Sequence, residues 1–162
     1  MALSRSLQIA LLVPVMLLGD LALALDKAQV RPTWHTPFDL YLSAHEAYEL
    51  KTGDPANVLF VDIRTRQELH YVGLADAVDI NIPYQFDTLT WKARSDGVHG
   101  TFRKTRNPDF ELALRRALAK HGLDEGAPVI LMCTSGSRSP LAARALHKAG
   151  FTRVYIQAEG FE

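Results

Sequence analysis

The sequence predicts a three-layer α/β fold, with a central, mainly parallel β-sheet flanked by helices, and three observations predict it. Val58-Leu59-Phe60-Val61 and Val129-Ile130-Leu131-Met132 are continuous apolar runs bounded by polar turns, the pattern of strands covered on both faces. Helix-start signals stand between and after these runs, and alternating strands and helices imply parallel strands joined by right-handed crossovers. The 162 residues are 48% hydrophobic and 22% charged, with 18 basic and 18 acidic side chains, the composition of one ordinary globular domain. That composition excludes a disordered polymer, and the zero balance gives no electrostatic reason to bind nucleic acid.

Each element has its own justification. Residues 1–24 carry one early cation, Arg5, an apolar run from Ile9 to Leu18, and Ala22-Leu23-Ala24, the features of a secretory signal peptide cleaved after Ala24. A membrane anchor is the alternative, but a span needs roughly 20 apolar residues, and Gln8, Pro14 and Asp20 interrupt any longer run. The expected product is exported, into a bacterial periplasm, with no membrane attachment once the leader is removed. Residues 25–38, with Pro32 and Pro37, are expected to be an extended lead-in to a domain over 39–162.

Asp39–Leu42 is a short candidate strand. Ser43 and Glu46 have capping-box spacing and open a helix to about Lys51. The Val58–Val61 strand runs into Asp62-Ile63-Arg64, where Thr65 and Glu68 form a second capping box; Arg64 and Glu68, four apart, are expected to pair on one helix face. Ala77–Ile82 alternates weakly and stops at Pro83, as a third strand would. From Pro83 to Asn107 runs a connection far longer than the usual about 4–6 residues. Lys92, Arg94, Arg103, Lys104 and Arg106 outnumber Asp87 and Asp96 in it, so it is either a solvated excursion or a binding or lid segment. Asn107 then caps a helix with Pro108 at its first position, a stripe of Phe110, Leu114, Ala117 and Leu118, and Gly122 after its end. Val129–Met132 is the second buried strand, Ser139-Pro140 opens a helix running to Gly150, and Arg153–Ile156 is the last strand.

The single cysteine, Cys133, excludes an intrachain disulfide framework and any multi-cysteine zinc or iron–sulfur site. His35, His45, His70, His99, His121 and His147 show no ligand spacing such as H-x-x-x-H, so neither metal nor organic cofactor is implied. Cys133 stands just beyond the carboxyl end of a predicted strand, where open parallel sheets bind ligands. From it, Cys133-Thr134-Ser135-Gly136-Ser137-Arg138-Ser139-Pro140 leads into the next helix. Small residues and a glycine let such a loop curl with its amides inward, and the helix N-terminus adds roughly half a positive charge, which together suit an anion. Beside Arg138 the nucleophilic thiolate is favoured. The fork of Arg138 can grip an oxyanion, and the Ser135 and Ser137 hydroxyls can donate to it. The pattern therefore points to a sulfur nucleophile and an anionic substrate, against the alternative of a packed core cysteine.

At these residues the chain resembles the rhodanese family of single-domain sulfurtransferases. Cys133 to Ser139 is similar to that family's C-x-x-G-x-R-[ST] loop. Asp62-Ile63-Arg64 with Glu68, then Gly73 and Asn81-Ile82-Pro83-Tyr84, resemble its upstream pattern, and Ala149-Gly150-Phe151 through Glu159-Gly160-Phe161-Glu162 resembles its closing segment. The resemblance covers about residues 39–162. It implies a rhodanese-like fold, no cofactor, and sulfane-sulfur transfer through a Cys133 persulfide from an anionic donor such as thiosulfate to cyanide or a thiol. It further implies donor binding by Thr134, Ser135, Gly136, Ser137 and Arg138, with Asp62, Arg64 and Ser139 supporting the site. Relatives usually continue past the closing motif, so further chain is expected beyond Glu162.

Two departures stand out. Gly73-Leu74-Ala75 lacks the histidine that often follows this glycine, and Thr134 stands where thiosulfate-preferring relatives often carry a cation. Arg138 still favours a sulfonate-type donor over the mercaptopyruvate type. A cysteine phosphatase or arsenate reductase is the enzyme rival, but those use C-x5-R, whereas only four residues separate Cys133 from Arg138. A sulfur carrier or docking module without turnover is the rival from another class, its partner, a protein thiol, held by the basic 92–106 segment.

Overall fold

The computed structural model describes residues 25–162. The expected signal peptide, residues 1–24, lies outside the described residues. In chain order the elements are β1 (Tyr41–Leu42), α1 (Ala44–Gly53), β2 (Leu59–Asp62), α2 (Arg66–Val72), β3 (Ile80–Asn81), β4 (Gln85–Ala93), β5 (Gly100–Arg106), α3 (Phe110–Lys120), β6 (Val129–Met132), α4 (Ser139–Lys148) and β7 (Val154–Gln157). Both capping boxes form as their spacing requires. The Ser43 and Thr65 hydroxyls accept from the N–H of Glu46 and Glu68, whose carboxylates accept the N–H of Ser43 and Thr65 in return. The expected Asn107 cap is not the helix start: regular α3 begins at Phe110 with Asp109 in the N-cap position and no side-chain capping hydrogen bond, and Asn107 Oδ1 instead accepts the Asp109 N–H at 3.0 Å in the turn before it.

Five strands make the central sheet in the order β1-β7-β6-β2-β3, every neighbouring pair parallel. Alternation along each strand divides the core into two faces. Leu59, Val61, Val129, Leu131, Val154 and Ile156 pack with Phe110, Leu114 and Leu118 of α3 and Ala142, Ala143 and Leu146 of α4. Phe60, Ile130, Met132 and Tyr155 face the other way, with Ala47 of α1. Burial on both sides explains why these strands are continuous apolar runs, each large side chain contributing about 1.5–3 kcal/mol. Continuing the alternation puts Cys133, one residue past β6, on the α3/α4 face. Among the described residues no helix is long and apolar enough to cross a membrane.

Two further expectations are corrected. The 83–107 connection is not irregular: β4 and β5 form an antiparallel hairpin, paired from Gln85–Arg106 to Ala93–Gly100, with a bulge between Asp87 and Trp91. Trp91 and Phe102 stack edge to face across it, 5.3 Å between ring centres. Neither strand has a buried face, so no alternation of apolar and polar residues marked them, and the strand-forming Thr, Phe and Trp residues were the remaining signal. The 25–38 lead-in is not simply extended either. It forms two 3₁₀ turns, Lys27–Gln29 and Pro32–Trp34, buries Val30, and is tied to the domain by Leu25 N–H donating to Tyr41 O and Arg144 donating to His35 O, both at 2.9 Å.

Candidate active site

The strand order places the carboxyl ends of β6 and β2 side by side, so the Cys133 loop and the Asp62-Ile63-Arg64 turn lie against one another. Cys133 is fully buried. Its Sγ accepts the backbone N–H of Arg138 at 3.4 Å, closing the six-residue loop into a ring at the start of α4. Ser135 and Ser137 form the exposed rim, their hydroxyl oxygens 3.4 Å apart. Gly136 is required twice over. Its φ is +76°, and a Cβ there would lie 2.0 Å from the Ala158 carbonyl oxygen and 2.8 Å from the Trp34 ring.

Arg138 is held differently from the sequence expectation. Its guanidinium makes a two-pronged ion pair with Glu68, Nη1 to Oε2 at 2.8 Å and Nη2 to Oε1 at 2.5 Å. Nη2 also donates to the Thr134 hydroxyl, which itself donates to Glu68 Oε1. Burial pushes the Glu68 carboxyl up, but hydrogen bonds from Arg138, Thr134 and the Thr65 N–H outweigh it and hold the group well below the usual carboxylate range. Burial likewise opposes charge on Arg138, and Glu68, with the Cys133 sulfur and Asp62 nearby, raises its pKa instead.

The expected Arg64–Glu68 pair does not form. Arg64 precedes the N-cap, so it lies outside the helix whose geometry would bring residues four apart together. Its guanidinium returns to Asp62, Nη2 to Oδ2 at 2.7 Å and Nε to Oδ2 at 2.9 Å, and caps the Gly73 carbonyl at 2.7 Å. Both side chains are essentially inaccessible. The same guanidinium lies 3.7 Å above the Phe161 ring, and the Phe161 N–H donates to the carbonyls of Cys133 and Thr134, each at 2.9 Å. Asp62 and Arg64 thus brace the base of the loop through the closing segment and do not line its mouth. Gly160 fits under the loop only because it lacks a Cβ, which would stand 2.2 Å from the Thr134 carbonyl oxygen.

The structure therefore brings Cys133, Thr134, Ser135, Gly136, Ser137 and Arg138 into one loop, with Ser139 buried at the start of α4, its hydroxyl without a partner among the described residues. Lys92, Arg94 and Arg103 are exposed on the hairpin, Lys104 pairs with Asp87 at 2.5 Å, and Arg106 pairs with Glu111. Four residues at the site were not singled out for it in the sequence: Glu68, Trp34, Ala158 and Phe161. For Glu68 a signal existed, since its capping box uses one carboxylate oxygen and leaves the other free to reach elsewhere.

The chain is similar to the crystal structure of Rv0390 from M. tuberculosis, with 27% identity over 75% of this chain and 79% of that one and a TM-score of 0.49. It is also similar to the solution structure of the 30 kDa polysulfide-sulfur transferase homodimer from Wolinella succinogenes, with 26% identity over 74% and 68% and a TM-score of 0.47. No curated protein matches it. Residues 43–162 match the family model of the rhodanese-like domain, a span that holds the Asp62–Arg64 turn, the Cys133 loop and the closing segment. On that match the chain belongs to the rhodanese-like domain family, which supports sulfurtransferase-type activity in general.

Proposed function

We propose that this protein is a sulfurtransferase that moves sulfane sulfur from an anionic donor such as thiosulfate, through a Cys133 persulfide, to cyanide or a thiol. The observation that carries the reading is the Cys133 loop itself: a lone thiol at the carboxyl end of a buried parallel strand, with an amide N–H on its sulfur and an arginine fork five residues on. In the first half-reaction the Cys133 thiolate attacks the outer sulfur of the donor. The donor's S–S bond breaks and sulfite leaves with the bonding electron pair, its charge met by Arg138 and the loop amides. In the second, the acceptor thiolate or cyanide attacks the outer sulfur of the persulfide and Cys133 departs as thiolate. No second cysteine and no cofactor enters either step.

Thr134, Ser135, Ser137 and Arg138 are the donor-binding groups in this reading, Gly136 permits the loop's shape, and Asp62, Arg64 and Ser139 support it. For a protein acceptor, the exposed Lys92, Arg94 and Arg103 beside Trp91 and Phe102 favour an acidic thiol-bearing partner at the hairpin. Export and removal of residues 1–24 belong to the same reading; N-terminal sequencing of the secreted protein should begin at Leu25, and an intact Met1 in the exported fraction refutes it.

Intact-mass spectrometry tests the chemistry. Incubation with thiosulfate should add one sulfur, about 32 Da, to the wild type and none to Cys133→Ser. A wild type that gains no sulfur overturns the reading.

A further inference from the structure

The cation that the loop offers to an anionic donor is already engaged. Both oxygens of Glu68 lie on the Arg138 fork, at 2.8 and 2.5 Å, and Thr134 adds its hydroxyl to the same carboxylate. A carboxylate and a sulfonate or sulfite compete for one planar donor edge, because each satisfies it by two parallel N–H to O contacts. Bracing α2 does not require this reach: the capping box is completed by Oε2 and the Thr65 N–H at 2.8 Å. Beyond that bond, both oxygens reach Arg138, in a loop 70 positions along the chain, and Oε1 has no part in the capping box.

The pair is also open to solutes from one side. Its side chains are 12% and 24% exposed, and Glu68 forms part of the wall of a cavity of about 600 Å³ between α2 and the hairpin, with Gln67, Tyr71, Asp87, Leu89 and Phe102. Cys133, in contrast, is fully buried behind the closed loop. Of the pair, Glu68 is the member that lines this cavity, so a solute in it meets the carboxylate that holds Arg138 while the sulfur stays buried.

We propose that Glu68 is the specificity gate of the Cys133 site: an internal anion that occupies the Arg138 fork, keeps the loop closed over the thiol, and is displaced by an anionic donor entering between α2 and the hairpin. The proposal rests on Cys133 being the group that donors reach. Glu68 acts on the chemistry through Arg138 and is a positioning residue. It makes the closed loop discriminate against anions that bind the fork weakly, and an anion that wins the fork also frees Glu68 and Thr134 from each other.

Paired thiol reagents of similar size, anionic iodoacetate and neutral iodoacetamide, read this directly without turnover. In Glu68→Gln the fork loses its ionic occupant, while glutamine at the same position still completes the capping box, so α2 keeps its start. Alkylation of Cys133 by iodoacetate should rise about tenfold or more, and that by iodoacetamide by clearly less, since a hydrogen bond to a charged group is worth at least that ratio. Sulfite should protect Cys133 from iodoacetamide at lower concentration in the variant. Equal acceleration of the two reagents reduces Glu68 to a brace and overturns the proposal, as does an unchanged iodoacetate rate. The wild type supplies a measurement independent of any variant. Relative to the urea-unfolded chain it should disfavour iodoacetate over iodoacetamide, and a preference for the anion, as an open fork gives, overturns the gate. Sulfur loading from thiosulfate is measured separately by mass, so a failure of the donor chemistry and a failure of the gate give different results.

Discussion

The Arg64 guanidinium lies 3.7 Å above the ring of Phe161, and this stacking joins the turn after β2 to the segment that closes the chain. Phe161 in turn holds the carbonyls of Cys133 and Thr134 through its N–H. The loop is therefore supported from a strand neighbour and from the closing segment together. Arg64 is fixed by Asp62, and a buried pair that loses one partner leaves an uncompensated charge.

Arg64→Ala should accordingly destabilise the fold by about 3–5 kcal/mol, the cost of stranding a buried carboxylate. Urea unfolding followed by circular dichroism measures it. A change inside the range of ordinary surface substitutions, about 0.5 kcal/mol, contradicts the buried-pair account.

Gly136→Ala is expected to displace the loop and leave the sheet intact. The new Cβ meets a backbone oxygen, that of Ala158, and the Trp34 ring, at a positive φ that alanine adopts only with strain. Sulfur loading from thiosulfate should fall by about tenfold or more while the far-ultraviolet spectrum is unchanged. Adding Trp34→Ala should not restore loading, because the closer of the two contacts is to main chain and stays in place.

Acid should loosen the loop before it unfolds the domain. Glu68 has a folded-state pKa held below its ordinary value of 4.5, so its stabilising contribution is complete above that pH and is lost progressively as pH falls toward the depressed value. Melting temperature recorded from about pH 6 down to about pH 3 should decline less steeply in Glu68→Gln than in the wild type. Parallel curves indicate that the pair contributes no linked stability.

Replacing Lys92, Arg94 and Arg103 together by glutamine should leave stability within about 0.5 kcal/mol, since all three are exposed. Turnover with thiosulfate and cyanide should also hold. Transfer to an acidic protein thiol should slow, and the deficit should shrink as salt is raised, because association steered by exposed charges is screened within about 10 Å at 0.1 M. Undiminished transfer at low salt removes the hairpin from acceptor recognition.

What could be read from the chain follows how local each cause is. Val58–Val61 and Val129–Met132 carried their strand state in composition, because a strand buried on both faces has no polar side to show. Ser43 with Glu46, and Thr65 with Glu68, carried their helix starts in three-residue spacing. The hairpin was not legible because Gln85–Ala93 and Gly100–Arg106 stabilise each other and bury little, so their pattern records a partner strand and not a core.

The sequence by itself determined the α/β alternation, the placement of Cys133 at a strand end, and the loop from Cys133 to Arg138, since each depends on neighbours within a few positions. Tertiary structure alone decided which charges meet. Arg64 turns to Asp62 because it precedes the helix, and Glu68 turns to Arg138 because parallel pairing sets β2 beside β6 and brings α2 against the start of α4. Side chains 70 positions apart become partners only through strand order, and strand order is a property of the assembled sheet, not of any segment in it.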